Sequence, residues 1–212
     1  MYPSTTAAVN STFFLILGII VVLLVLILAT MIFFVVRFRR GRKHEVKDIG
    51  GNWKLETVWI VASTVLVMAI FFVGLDSFKF LRKIPQGAMK IGVTGMQWSW
   101  EFTYENGRKT GSLVVPQGRD IALDMKTPDV IHGFFVPAYR IKQDIVPGMT
   151  NHVWFAAKDL GTYDILCTQY CGEEHSKMIS SIFVVPPDVY AKWYAGEQVD
   201  IPGLPAEDAS PS

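Results

Sequence analysis

Cys167 and Cys171 are the only cysteines in the 212-residue chain, and they stand in Cys167-Thr-Gln-Tyr-Cys171-Gly-Glu-Glu-His175-Ser-Lys-Met178. Two thiolates, an imidazole and a thioether form a soft donor set, which suits copper far better than magnesium or calcium. A segment this short cannot enclose an ion alone, so a further ligand is expected from elsewhere in the chain. The competing reading of Cys-x3-Cys is a disulfide, favoured in an oxidising compartment. Against it stand the His and Met at ligand spacing and the small gain from closing so short a loop.

The chain has four histidines. His175 is already in the motif. His44 lies in a basic loop that belongs on the other side of a membrane from the cysteines. His152, in Asn151-His-Val-Trp-Phe-Ala156, alternates like a strand-surface residue. His132 sits in Thr127-Pro-Asp-Val-Ile-His-Gly-Phe-Phe-Val-Pro137, where Pro and Gly flank a short apolar segment. A ligand on a stiffened segment has its orientation set before metal arrives, so His132 is the favoured extra ligand.

The elements that must carry these residues begin with two apolar runs. Ser11–Val36 and Thr57–Leu75 contain no charged residue, and roughly 20 such residues cross a hydrocarbon core. They predict transmembrane helices over about 12–36 and 56–80, within an N-terminal region of residues 1–84. The first run is longer than a signal core of roughly 7–15 residues and has no basic residue ahead of it, so it is expected to be retained. Arg37-Phe-Arg-Arg-Gly-Arg-Lys-His-Glu-Val-Lys47 lies between the spans. A short loop so rich in Lys and Arg stays in the cytoplasm. Both termini and everything after about Phe80 are therefore expected outside it. Residues 1–84 carry a charge balance of +6 and residues 85–212 one of −5. The acidic outer part argues against a nucleic-acid partner and suits a basic protein.

From Ala88 the texture changes to short β-type runs broken by Gly, Pro and Asp: Met89–Val93, Gln97–Tyr104, Ser112–Val115, Asp120–Met125, His152–Ala156, Tyr163–Thr168 and Met178–Val185. Several short strands at close spacing predict an antiparallel, all-β sandwich or barrel over 85–197. Val189–Ala195 has a helical pattern with Asp188 as its cap. The Pro-, Ala- and Asp-rich tail, 198–212, is expected to be extended or disordered.

Asp129-Val-Ile-His132, Val136-Pro137, Lys142-Gln-Asp144 and Pro147-Gly148, followed by the Cys-x3-Cys-x3-His-x2-Met loop, resemble subunit II of haem–copper cytochrome c oxidases. The likeness extends to the two-helix hairpin and to Gln97-Trp98-Ser-Trp100. It implies a cupredoxin-like β-barrel holding two copper ions in a dinuclear copper A centre. In that centre Cys167 and Cys171 would bridge the coppers, with His132 and His175 on one ion each. Met178 would be the weak ligand of one copper, and the main-chain carbonyl of Gln169 would serve the other. The implied role is electron transfer in a respiratory chain. Single electrons would come from cytochrome c or a similar donor and pass to haem in subunit I, which reduces oxygen, with subunit III a further partner and lipid around the helices.

Other positions carry over individually. Trp98 matches the family tryptophan through which the electron arrives, whereas Trp100 reads as a barrel-wall aromatic. Glu56 matches a carboxylate at the mouth of a proton path shared with subunit I, or is simply a helix-start charge favoured by the macrodipole. Asp129 and Asp144 match acidic positions tied to partner docking or local hydrogen bonding. The chain departs from the family at Gln169, where many members have a Glu that helps to hold magnesium. A neutral amide is a poorer hard-cation ligand, which argues against magnesium ligation by this chain. Met96 and Met149 stand where a His and an Arg are common, and no Cys-x-x-Cys-His haem-attachment motif occurs. Two other readings share part of the pattern: a copper-free structural subunit II of a quinol oxidase, and a membrane-tethered copper-delivery or binding module. The complete ligand set argues against the first.

Overall fold

The computed structural model describes residues 4–41 and 50–209. The centre of the basic loop, with His44, and the extreme termini lie outside the described residues. The chain divides into two compact units: Val9–Lys79, and the chain from Phe80 together with the N-terminal residues through Ala8.

The first unit is built from α1 (Thr5–Arg37) and α2 (Trp53–Arg82), both long and apolar enough to cross a membrane. Polar residues start both helices. The Ser4 hydroxyl accepts the Ala7 N–H at 3.2 Å, and Asn52 Oδ1 accepts those of Lys54 and Leu55 at 3.2 and 3.3 Å. These bonds satisfy N–H groups that have no partner inside the helix. Several hydroxyls within the apolar stretches are also satisfied. Thr30, Thr57 and Thr64 donate to carbonyls four residues back at 2.7–2.8 Å, and the Thr12 and Ser77 hydroxyls lie 2.6 Å apart. Lipid offers no water to do this. Glu56 lies in the first turn of α2 and is exposed.

The second unit contains β1 (Met89–Met96), β2 (Ser99–Thr103), β3 (Lys109–Thr110), β4 (Leu113–Pro116), β5 (Arg119–Lys126), β6 (His132–Val136), β7 (Ile141–Ile145), β8 (Asn151–Ala157), β9 (Gly161–Cys167) and β10 (Ile179–Val185). They form two five-stranded sheets, ordered β3-β2-β1-β5-β8 and β4-β10-β9-β6-β7. The core lies between them. Phe102, Ile121, Leu123 and Phe155 from one sheet, and Leu113, Phe134, Ile165 and Ile182 from the other, are fully buried. Each such side chain is worth roughly 1.5–3 kcal/mol of burial.

The sandwich differs from the sequence expectation in several places. Each sheet holds one parallel pair, β1 with β5 and β4 with β10, so it is not purely antiparallel. Strands β6 and β7 flank the Pro137–Tyr139 turn, where His-Gly-Phe-Phe-Val and Ile-Lys-Gln-Asp-Ile lack clean alternation; long-range pairing makes them strands. The short β3 was also unforeseen. Gln97 and Trp98 are not in β2 but form the turn that joins Met96 to its partner Ser99, through a cis peptide bond. Asp188 does not cap α3 (Pro187–Tyr194): Pro186 occupies the cap position without a side-chain bond, and Asp188 lies in the first turn.

The tail is the largest correction. Ile201 and Asp208 are buried, and Ala206–Ala209 forms a short helical turn, α4. Arg108 explains this ordering. Its guanidinium lies 4.0 Å over the Trp193 ring and donates to the Trp193 carbonyl and, at 2.7 Å, to that of Asp208. The Trp193 indole also donates to the Asp208 carbonyl, at 2.9 Å, and the Asp208 carboxylate accepts the Gly111 N–H at 2.7 Å. Composition alone suggested disorder because it does not register these fixed, buried partners. Arg108→Met, which keeps bulk over Trp193 but removes the donors, is expected to cost about 2 kcal/mol or more. Denaturant unfolding followed by tryptophan fluorescence measures this, and an unchanged midpoint would mean that Arg108 does not hold the tail.

Candidate metal centre

The motif residues occupy the loop from the end of β9 to the start of β10. Cys167 closes β9, a 3-10 turn spans His175–Lys177, and Met178 immediately precedes β10. The Cys167 N–H donates to the Met178 carbonyl at 3.3 Å, which draws the two ends of the loop together. The Thr168 N–H donates to the Gly133 carbonyl at 3.0 Å, fastening the loop to β6 one residue after His132. This approach requires glycine. A Cβ on Gly133 would stand 2.5 Å from Thr168 Oγ1 and 2.9 Å from the Gln169 nitrogen. Gly95 plays a similar part behind His132, where a Cβ would meet Trp100 at 3.0 Å and the imidazole at 3.4 Å.

Folding thereby gathers six donors. The two sulfurs are 3.8 Å apart and both cysteines are free. His132 Nδ1 is 3.9 Å from Cys167 Sγ, and His175 Nδ1 is 3.4 Å from Cys171 Sγ. Met178 Sδ lies 3.8 Å from Cys171 Sγ, and the Gln169 carbonyl lies 3.3 Å from Cys167 Sγ. The His132 nitrogen and the two thiols are close enough together to hold one ion. His132, Cys171 and Met178 are buried, and Cys167 is half-buried.

Asp129 sets the electrostatics. Its Oδ1 is 2.8 Å from His132 Nε2 and also accepts from the Thr127 hydroxyl at 2.8 Å and the Val130 N–H at 2.6 Å; Oδ2 accepts the Gln97 N–H at 2.7 Å. Burial alone would raise the carboxyl, but the bonds from His132, the Gln97 N–H, Thr127 and the Val130 N–H outweigh it and hold it well below the usual carboxylate range. The ionised Asp129 accepts a hydrogen bond from His132 Nε2, which leaves Nδ1 as the ring nitrogen that faces Cys167. Burial, the neighbouring Cys167 and the charge of Asp129 push the Cys171 thiol up to about 11.

The remaining candidates are not among the donors. His152 is half-exposed on β8 and pairs with Asp124 at 2.7 Å, away from the thiols. Trp98 is half-buried against the motif loop: a Cβ on Gly172, at φ +125°, would stand 3.1 Å from its indole. Trp100 is buried, edge-on to Phe134 at 5.4 Å and to His132 at 6.1 Å. Asp144 pairs with Lys142 at 3.9 Å. Glu56 belongs to the helical unit. Sequence reasoning missed the supporting roles of Gln97, Gly95, Gly133 and Gly172. Only the glycines left a signal, as invitations to close backbone approach.

A two-sheet sandwich with a soft ligand cluster at one end, joined to two membrane-length helices, defines a membrane-anchored, cupredoxin-like protein. Residues 108–185 match the family model of the cytochrome c oxidase subunit II periplasmic domain. Cytochrome c oxidase subunit 2 of Alkalihalophilus pseudofirmus is 33% identical, over 80% of this chain and 53% of its own length. The alternative cytochrome c oxidase subunit 2 of Bradyrhizobium diazoefficiens is 27% identical, over 84% of this chain and 76% of its own. The crystal structure of the periplasmic domain of subunit II of cytochrome oxidase of Bradyrhizobium japonicum superposes with a TM-score of 0.51 at 30% identity, covering 53% of this chain and 95% of that one. The chain belongs to the cytochrome c oxidase subunit II family. It spans about half the length of the Alkalihalophilus relative.

Gly133→Ala is expected to destabilise the metal-free strand-rich unit by about 1–3 kcal/mol, the usual cost of overpacking. Trimming Thr168 as well should not restore it, because the Gln169 main chain remains in the way. Denaturant unfolding of the single and double variants measures both effects; full recovery in the double variant would refute the backbone clash.

Proposed function

We propose that this chain is the electron-accepting subunit II of a terminal cytochrome c oxidase, with two copper ions held by His132, Cys167, Cys171, His175, Met178 and the Gln169 carbonyl. The observation that carries this reading is the convergence of those six donors at one end of the sandwich, with His132 Nδ1 already turned inward by Asp129. The donor set is soft, and it fits copper in both kind and placement. Bound copper supplies one-electron redox chemistry.

The chain's own residues do the rest. Strands β6, β9 and β10 and the 3-10 turn keep the ligands in place, so that little need move when an electron arrives. Buried Cys171, Met178 and His132 keep water away from the donors. Trp98, lying against Gly172 beside Cys171, gives the electron an aromatic route from the surface. The acidic outer unit attracts a basic donor such as cytochrome c. Electrons then pass to haem in subunit I, which reduces oxygen, with subunit III a further neighbour. The apolar helices hold the chain in a bacterial cytoplasmic or mitochondrial inner membrane. Both termini and the metal centre are on the outer side, and Glu56 sits at the mouth of a proton path.

Loading the purified full chain with copper in detergent should give two coppers per chain sharing one unpaired electron by electron paramagnetic resonance. Cys167→Ser should abolish that signal and His152→Ala should keep it. One copper, or two isolated ions, would overturn the reading. Copper uptake should also depend on pH. Metal binds the thiolate, and the Cys171 thiol is protonated below about 11, so binding displaces protons and strengthens as pH rises. Apparent affinity should climb about tenfold per pH unit for each proton released. Competition titrations with a chelator between pH 6 and pH 8, in the range of roughly neutral solution, should show this slope; a flat profile would mean that the thiols are not the ligands.

A further inference from the structure

We propose that Gln97 is a positioning residue that latches the two ligand-bearing segments of the metal centre to each other; this rests on the copper reading of the site. Gln97 offers no ligand and lies in the β1–β2 turn. Its backbone N–H donates to Asp129 Oδ2 at 2.7 Å, leaving Oδ1 for His132. Its side-chain amide donates to the Cys171 carbonyl, also at 2.7 Å. One residue therefore braces the carboxylate that orients His132 and fixes the main chain at the second thiol.

The latch has a fitted receiving surface. Gly172 turns at φ +125°, and a Cβ there would stand 3.1 Å from Gln97 Nε2 and 3.1 Å from the Trp98 indole. Gln97 is itself exposed. Water could satisfy its amide, so core packing does not explain why the amide is spent on Cys171. The bond instead closes a path running from His132 through Asp129 and Gln97 to Cys171. Outer-shell hydrogen bonds of this kind fix ligand orientation, and losing one typically weakens metal binding by about 10–100-fold.

The two arms are separable by mutation. Gln97→Met keeps the length of the side chain and the backbone bond to Asp129 but loses the bond to Cys171. In the copper-loaded full chain in detergent, a chelator should compete copper away from Gln97→Met at a concentration about tenfold or more lower than from the wild type. In the metal-free full chain, amide exchange over Gly172–His175 should quicken while the unfolding midpoint stays unchanged. Gln117→Met is the control, since the Gln117 amide makes an equivalent bond to the Lys158 carbonyl at 2.8 Å; it should alter neither readout. Gly172→Ala attacks the latch from the other side and should reproduce the copper loss. Wild-type copper retention and exchange in Gln97→Met would overturn the latch. Faster loop exchange in a protein that takes up no copper in any variant would support the latch while overturning the proposed function.

Discussion

The candidate metal site depends on one backbone approach, that of the cysteine loop to β6 across Gly133. Neither segment is a site alone. The loop carries both thiols, His175 and Met178, while β6 begins with His132. They meet because the Thr168 N–H reaches the Gly133 carbonyl at a position where any side chain would collide with Gln169. The absence of a Cβ is what lets a local motif become a six-donor cluster. The rest of the sandwich holds the two segments at that distance.

Asp129 and the buried Cys171 thiol show how charge is arranged around the candidate site. A carboxylate fixed in its charged form by several donors directs the imidazole, and it also adds to the pressure that keeps the Cys171 thiol protonated. A cation held among these groups would displace the thiol proton and offset the carboxylate's charge.

The two units solve different solvation problems with the same chemistry. In the helices, threonine hydroxyls turn back to carbonyls of their own turn because lipid supplies no partner. In the strand-rich unit, Arg108 reaches two carbonyls and Trp193 to bind a tail that would otherwise have little reason to order. In both, these polar groups find partners within the chain, and those partners help to set where the backbone goes.

By itself the sequence determined the local and compositional features. The two charge-free runs are long enough to span, the soft ligand motif sits in one short segment, and most strands show up as β-type runs between Gly, Pro and Asp. The flanking Pro and Gly also marked His132, and the structure sets its ring beside Cys167 while His152 pairs with Asp124. Tertiary structure decided what depends on residues far apart in the chain. Strands β6 and β7 exist through pairing rather than pattern, the parallel pairs come from the crossing of connections, and the tail is ordered by Arg108. Gln97 looked like one more residue of an aromatic stretch, yet it bonds to Asp129 and to Cys171, which lie 32 and 74 residues away. Periodicity and composition register neighbours along the chain. A hydrogen bond across such separations forms only once the sheets have set the distance.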